Sequence, residues 1–510
     1  MKERNYLLKV LGLSGFPRIF SFLFTLSSFP IMLRQVGAAE YGIIVYLSSI
    51  IAIFESFADF GVSSAAGKEI ASTRVNRPIF LKQEIFTWAG FQIKAALIGL
   101  VPMTLATFFL VHTSKFSNIS STIIILSLAA SWITIIINFV RAVLTAILSF
   151  KSLAVLDTFE SITRSTAYLV VAFYMPNAKG LIIALFIVGL IIAFSAFVTL
   201  VVTIKKLKIE NSYELTNEYK NKLDLKLMIK ESLNFLWLRL ATRCFLGLPI
   251  FIIGSQFNAS VVGVIGTIQR MVDLLTFPFA VIGNALAVRA KELINAGEHA
   301  IVSVWDVITR IQSLAIIQWA FTIIGADLCS SFLFKDQKPD PIIFEILTIT
   351  ILTTSNSTLV NPLTDYIGAL SKRNILLSVI AIVQVPIIWF GGFYFGIIGS
   401  IISYVLILII INIGYLHISM IAFFPRKLYQ LKSEVKLFIV ISISLALVVV
   451  FLQKFILTYK IFNISVSYLN LFEIGFYCFL VLLFIFFSKK LKYFYLTKYF
   501  FEFDTVNSSN

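Results

Sequence analysis

Eight basic side chains interrupt runs of apolar residues: Lys9, Arg18, Lys94, Arg164, Arg239, Arg243, Arg270 and Arg310. A guanidinium stays charged at any physiological pH and presents a planar fork of donors that matches phosphate or carboxylate oxygens. Sinking one into hydrocarbon costs about 2.5–3.5 kcal/mol on insertion scales, so it should face a wet space or a partner. Lys9 and Arg310 fall near helix ends and are expected to snorkel to the interface. Arg18, Arg239, Arg243 and Arg270, with Lys94 and Arg164, are expected to line a central chamber. The chemistry this implies is capture of an anion by planar forks, without bond making.

Their surroundings differ. Arg18 follows Pro17 within "GLSGFPR", where the missing proline N–H frees a carbonyl and Gly12 and Gly15 permit a bend or close packing. Arg18 is therefore expected on a kinked gating helix, against the alternative of an arginine capping the freed carbonyl. Arg239 and Arg243 share one helical face, as do Arg270 and Asp273. The latter pair is open to two readings, a neutral structural bridge or a switch in which Asp273 takes a proton as a coupling carboxylate. Arg164 lies one turn after Glu160, a spacing that favours an intrahelical ion pair. Glu55 and Asp59 fall at the inner end of a span, where a solvated mouth is expected to hold them.

The elements that must carry these residues follow from composition. Of 510 residues, 59% are apolar and 13% charged, and mean hydropathy is +0.93. Soluble domains hold roughly 45–50% and 25%, respectively. Such a chain cannot cover its own core with polar surface and is read as an all-α, multi-spanning membrane protein. Apolar runs of membrane length fall near 7–32, 41–59, 86–111, 121–140, 158–176, 181–204, 233–254, 261–284, 309–330, 342–363, 374–395, 397–419, 437–457 and 470–487. That is about fourteen helices. The first run is too long for a cleaved signal peptide and leads straight into the second.

Lys and Arg divide unequally between alternate connections, twenty-seven against seven when Lys454, near the end of its run, is counted with the connection that follows. The asymmetry predicts that both termini lie in the cytoplasm. It also absorbs most of the +16 net charge, so nucleic acid is not an expected partner. The predicted organisation is an N-lobe over 1–204, a cytoplasmic linker over 205–232, a C-lobe over 233–419, and two further helices with a tail over 420–510. Segments from Pro30 and Pro249 share a late proline, a small-residue turn and a glycine opening the next helix. Gly42 and Gly263 lie 221 positions apart, as do Arg18 and Arg239, which suggests a duplicated six-helix unit.

Other chemistries find no support. Cys244, Cys329 and Cys478 stand singly in apolar runs, and His112, His299 and His417 have no metal-binding spacing. "GVSSAAGKE" (61–69) has five residues between its glycines where a P-loop has four, and Glu69 stands in place of Ser or Thr. "DFG" (59–61) has no accompanying kinase motif. Every outward connection is too short to house a catalytic domain.

"FPIMLRQVGAAEYGIIVYLSSI" followed by "FADFGVSSAAGKEIA" resembles the opening of bacterial polysaccharide-biosynthesis flippases, the O-antigen and capsule repeat-unit translocators. These belong to the multidrug/oligosaccharidyl-lipid/polysaccharide exporter superfamily. The resemblance rests on Pro30, Arg34, Gly37, Tyr41, Gly42, Asp59 and Gly61, with "GALSKRN" as a later echo. It implies two six-helix bundles in a V around a cationic cavity, and alternating access. It further implies export of an undecaprenyl-pyrophosphate-linked oligosaccharide, alongside the polymerase and chain-length regulator of the same pathway. Fourteen spans are similar to the lipid II flippase branch, whose cavity arginines occupy spans one, two and eight. Arg18 and Arg270 match by span, whereas span two here offers Glu55 and Asp59. No cofactor is expected, and an H+ or Na+ gradient or the membrane potential would drive the cycle. The rival expectations are a multidrug/cation antiporter of the same superfamily and a membrane enzyme acting on polyprenyl-linked sugars.

Overall fold

The computed structural model describes residues 23–206, 225–295, 312, 314–320, 322–323, 326–334, 341–366 and 370–423. Lys9, Gly12, Gly15, Pro17, Arg18, Arg310, most of the interlobe linker and the two spans expected after residue 436 lie outside them. Every regular element among the described residues is helical. In chain order these are α1 (residues 23–36), α2 (Ala38–Asp59), α3 (Val62–Asn76), α4 (Leu81–His112), α5 (Ser121–Ala146), α6 (Phe150–Tyr174) and α7 (Ala178–Lys206). The second half follows with α8 (Leu225–Gln256), α9 (Ala259–Asn295), α10 (residues 314–320), α11 (Ala326–Leu333), α12 (Pro341–Thr348), α13 (Thr350–Tyr366) and α14 (Leu370–Phe423).

The protein is an all-α, multi-pass membrane protein. Among the described residues, eight helical stretches are long and apolar enough to span a bilayer. Ile98, Phe173, Phe194, Ile382 and Phe395 are 70–77% exposed, a surface that suits lipid and not water. α6 is 25 residues long yet is not one of the eight, because Asp157, Glu160 and Arg164 stand inside it. α14 holds two of the expected spans. The chain doubles back at Gly396, whose φ of 65° suits glycine alone, and a side chain at Gly391 would meet the Gly399 carbonyl at 2.7 Å.

Helix ends are specified locally. A carboxylate oxygen of Glu40 accepts the Ala178 N–H at 2.8 Å, and the Asn177 side chain accepts Gly180 N–H at 2.7 Å, which satisfies the start of α7. Lys205 and Lys206 occupy its last turn, where cations suit the helix dipole. α2 stops at Phe60 and Gly61, both with positive φ (52° and 72°). A side chain at Gly61 would collide with the Ser232 carbonyl at 2.3 Å, so glycine here allows both the turn and the approach of α8. That is the structural content of the "DFG" sequence.

Among the described residues, the two halves of the chain meet along a seam in which α2, with α3 at one end, packs against α8 and α9. At the end carrying Gly37, the crossing of α2 and α9 is reciprocal. A side chain at Gly42 would lie 1.8 Å from the Ala259 carbonyl oxygen, and one at Gly263 would lie 1.8 Å from that of Ala38. Ala38 and Ala259 are separated by 221 positions, the same interval that separates the two glycines. Equivalent points of the two halves thus meet backbone to backbone, as across an isologous contact. Next to this crossing, Tyr46 stacks on Phe116 at 4.0 Å and on Phe251 of α8 at 5.9 Å. Lys115 donates from the first half to the Gln256 carbonyl at the C-terminus of α8.

Candidate functional site

From Tyr46 towards Gly61, α2 runs antiparallel along α8, and the character of the seam changes. Glu55 and Asp59 are one turn apart on α2, and Arg239 and Arg243 are one turn apart on α8. Antiparallel packing matches them in reverse order. Arg239 pairs with Asp59, and Arg243 Nη2 lies 3.8 Å from a Glu55 oxygen. Asp59 is 1% exposed, whereas Arg239 and Arg243 keep 29% and 42% of their side-chain surface. Ser63 donates its hydroxyl proton to the other Asp59 oxygen. Gln92 stands behind Ser63 with its side-chain oxygen at 3.2 Å and its amide nitrogen unpartnered. Turning that amide over lets the nitrogen donate to Ser63 and completes a chain from Gln92 through Ser63 to Asp59. Beyond the turn, Lys68 of α3 reaches Glu231 of α8 at 2.8 Å.

This overturns the expectation of a solvated mouth around Glu55 and Asp59. Both are buried because α8 covers that face of α2. Arg239 and Arg243 are correspondingly not free cations but one side of an ionic ladder between the halves.

A second group forms around α6 and α9. Asp157, Glu160 and Arg164 line one face of α6. Glu160 binds Arg164 at 2.8 Å and also binds Arg141 of α5, which reaches Asp157 at 3.2 Å. The Nε atoms of Arg141 and Arg164 are buried without a hydrogen-bond partner, so both forks keep unspent donor capacity. Arg270 stands eleven residues into α9, about 16 Å along the helix at 1.5 Å per residue. Its electrostatic neighbours are Tyr168 and Glu160 of α6, Tyr41 of α2 and Asp273 of its own helix. Phe29 of α1 contacts Tyr41 and Tyr168 edge-on at 5.5 and 6.1 Å, so α1, α2 and α6 converge within the electrostatic reach of Arg270 on α9. Arg270 is half-buried and Asp273 keeps accessible surface at this depth. Asp273 lies in the electrostatic reach of Tyr404 of α14, which accepts a hydrogen bond from Gln269 at 2.9 Å.

The structure therefore gathers Arg164 and Arg270 in one group and Arg239 and Arg243 in another. Lys94 joins neither: it is exposed on α4 among Ile93, Leu97 and Ile98, the lipid-facing stripe of that helix. The expected cationic surplus also shrinks. Arg141, Arg164, Arg239, Arg243 and Arg270 face Glu55, Asp59, Asp157, Glu160 and Asp273, one acid for each arginine among these described side chains. Arg141 lies one residue past the expected span 121–140, although apolar residues continue through Leu148 and the helix runs to Ala146. The ladder had a signal in the sequence, two acids and two arginines each at i,i+4, but nothing local says that α2 and α8 oppose each other. Among the described residues no group of His, Cys, Asp and Glu is arranged to hold a metal.

No protein-family model and no curated protein matches the chain. Solved structures do. The inward-facing conformation of a multidrug resistance MATE family transporter of the MOP superfamily superposes with a TM-score of 0.58 at 13% identity, covering 79% of this chain and 94% of that one. The lipid II flippase MurJ, in an inward closed conformation, gives a TM-score of 0.57 at 12% identity, covering 88% and 99%. A mutant of the Vibrio cholerae MATE transporter VcmN gives 0.53 at 14% identity, covering 84% and 99%. At these identities the likeness establishes the fold.

Proposed function

We propose that this protein is a bacterial inner-membrane flippase. It carries a polyprenyl-diphosphate-linked oligosaccharide, such as an O-antigen or capsule repeat unit, from the cytoplasmic to the outer leaflet. The observation that carries the reading is Arg270, a half-buried guanidinium well inside α9, within the electrostatic reach of Tyr41 of α2 and of Tyr168 and Glu160 of α6. Arg164 and Arg141, which keep 38% and 30% of their side-chain surface, share Glu160, a carboxylate within the electrostatic reach of Arg270. A diphosphate supplies the many acceptor oxygens that such forks match, and one structural neighbour is a flippase named for a lipid cargo, lipid II. The polyprenyl tail stays in lipid, along faces such as that of α4, while the head group meets Arg270. The excess of Lys and Arg on alternate connections supports placing the Gly61 end of the seam in the cytoplasm. Asp273, beside Arg270 and Tyr404, is the carboxylate through which an H+ or Na+ gradient would couple.

One observation favours a second reading. The one-to-one balance of acids and arginines, with MATE multidrug transporters among the structural neighbours, suits a cation exporter equally well. Native mass spectrometry of the purified protein separates the two. The flippase reading expects retained undecaprenyl diphosphate in preference to undecaprenol, with the preference lost in Arg270→Gln. Retention of a lipophilic cation such as tetraphenylphosphonium, without discrimination between the two lipids, would contradict it and favour the exporter.

A further inference from the structure

The ladder along α2 and α8 has a feature that neither packing nor anion capture explains alone: its arginines are accessible and its acids are not. Asp59 is fixed from behind by Ser63 and sealed from solvent, while Arg239 reaches it across the seam with part of its fork still open. Glu55 is held by the Ser131 hydroxyl at 3.4 Å and engages the more exposed Arg243 only loosely. Lys68 and Glu231 extend the same arrangement to the surface. Parting the halves at this end separates Asp59 from Arg239 and Glu55 from Arg243 as α8 moves off α2, so the cost of opening is the loss of these pairs, offset by water or by any anion that takes the arginines.

We propose that Asp59 and Glu55 are positioning residues that latch the two halves when the carrier is empty, and that an anionic head group opens the latch by taking Arg239 and Arg243 in exchange. This rests on the flippase reading above and adds to it the step that couples cargo to motion. A ligand shifts a conformational equilibrium only by binding one state better than the other. Competition for the latch's own arginines supplies that difference directly, because a head group that arrives at the open sides of the two forks gains its full set of hydrogen bonds only where the carboxylates have let go. Diphosphate oxygens accept two parallel hydrogen bonds from a guanidinium, as a carboxylate does. A neutral polyprenol has no means of exchange and leaves the latch shut, so the gate itself selects charged cargo.

Ser232 reports on the latch, since it is fully buried beneath the α2–α3 turn at Gly61. Ser232→Cys, with Cys244, Cys329 and Cys478 changed to Ser, is assayed by maleimide-polymer alkylation of the full chain in inverted membrane vesicles. The expected result is slow labelling that undecaprenyl diphosphate accelerates about tenfold and undecaprenol leaves unchanged. Glu55→Gln and Asp59→Asn label fast without lipid, and the swapped pair Asp59→Arg with Arg239→Asp returns to slow labelling. Should Asp59→Asn not accumulate, Glu55→Gln carries the same test. If the purified protein retains undecaprenyl diphosphate but labelling of the Ser232→Cys variant does not respond to it, the latch is refuted and the flippase reading stands. If no diphosphate lipid is retained, both fall.

Discussion

The two ends of the seam are built from opposite materials. At the Gly37 end, Gly42 and Gly263 bring backbones into contact and Tyr46 is stacked between Phe116 and Phe251. At the Gly61 end, Asp59, Glu55 and Glu231 meet Arg239, Arg243 and Lys68. Close apolar packing is lost steeply with separation and has no substitute partner. An ion pair has many substitutes, including water and any anion that reaches it. On the proposed function, the first end would serve as a hinge and the second as a gate, as two bundles that rock about a central site require.

Substitutions can break that contrast. The largest effect is expected from Arg239→Met, which leaves Asp59 buried and uncompensated and should cost about 3–5 kcal/mol. Adding Asp59→Asn should recover most of the loss, so a double-mutant cycle read by thermal unfolding in detergent measures the pair directly. Gly42→Leu should follow, at about 3 kcal/mol, the upper end of overpacking costs, because the helices at that crossing cannot separate locally. Its signature is lowered abundance at every salt concentration. Tyr46→Leu removes the stack and should cost about 1 kcal/mol beyond lost area, again without salt dependence.

Smaller effects sharpen the other end. Lys68→Ala removes a pair whose lysine is largely exposed and should change stability by less than about 1 kcal/mol, an effect that vanishes at high salt. Beside it, burial raises the carboxyl pKa of Glu69 above its ordinary 4.5, opposed by Lys68 and reinforced by Glu231 and Glu84. The folded state therefore holds this proton more tightly than the unfolded one, and stability contributed by the neutral form is lost as pH rises from 4.5 through the raised value. Glu69→Gln should flatten the pH dependence of unfolding just above 4.5.

Fold class was legible from composition, and α2, α4, α5, α6, α7, α8 and α9 all fall over expected spans because apolar run length is a direct measure of membrane thickness. Run length fails where a helix continues past its apolar stretch. α5 extends to Ala146 and so carries Arg141 into the bundle, where it shares Glu160 with Arg164. The Glu160–Arg164 pair was readable because it lies within one helix. The Asp59–Arg239 pair was not, since helical periodicity says which residues share a face and nothing about which face lies opposite. Counting deep cations overstates the surplus for the same reason: the acids that face Arg239 and Arg243 sit on another helix, and Arg141, which shares Glu160 with Arg164, lies past the end of its apolar run.

The central claim is that guanidinium groups on α6 and α9 receive a lipid-linked diphosphate. Its most direct test is translocation of a fluorescent polyprenyl-diphosphate sugar in proteoliposomes, followed by a reducing quencher added outside. Wild-type protein should move the lipid between leaflets and Arg270→Gln should not, at equal reconstitution. Equal rates for the two, or movement of the uncharged polyprenol at the wild-type rate, would contradict the account.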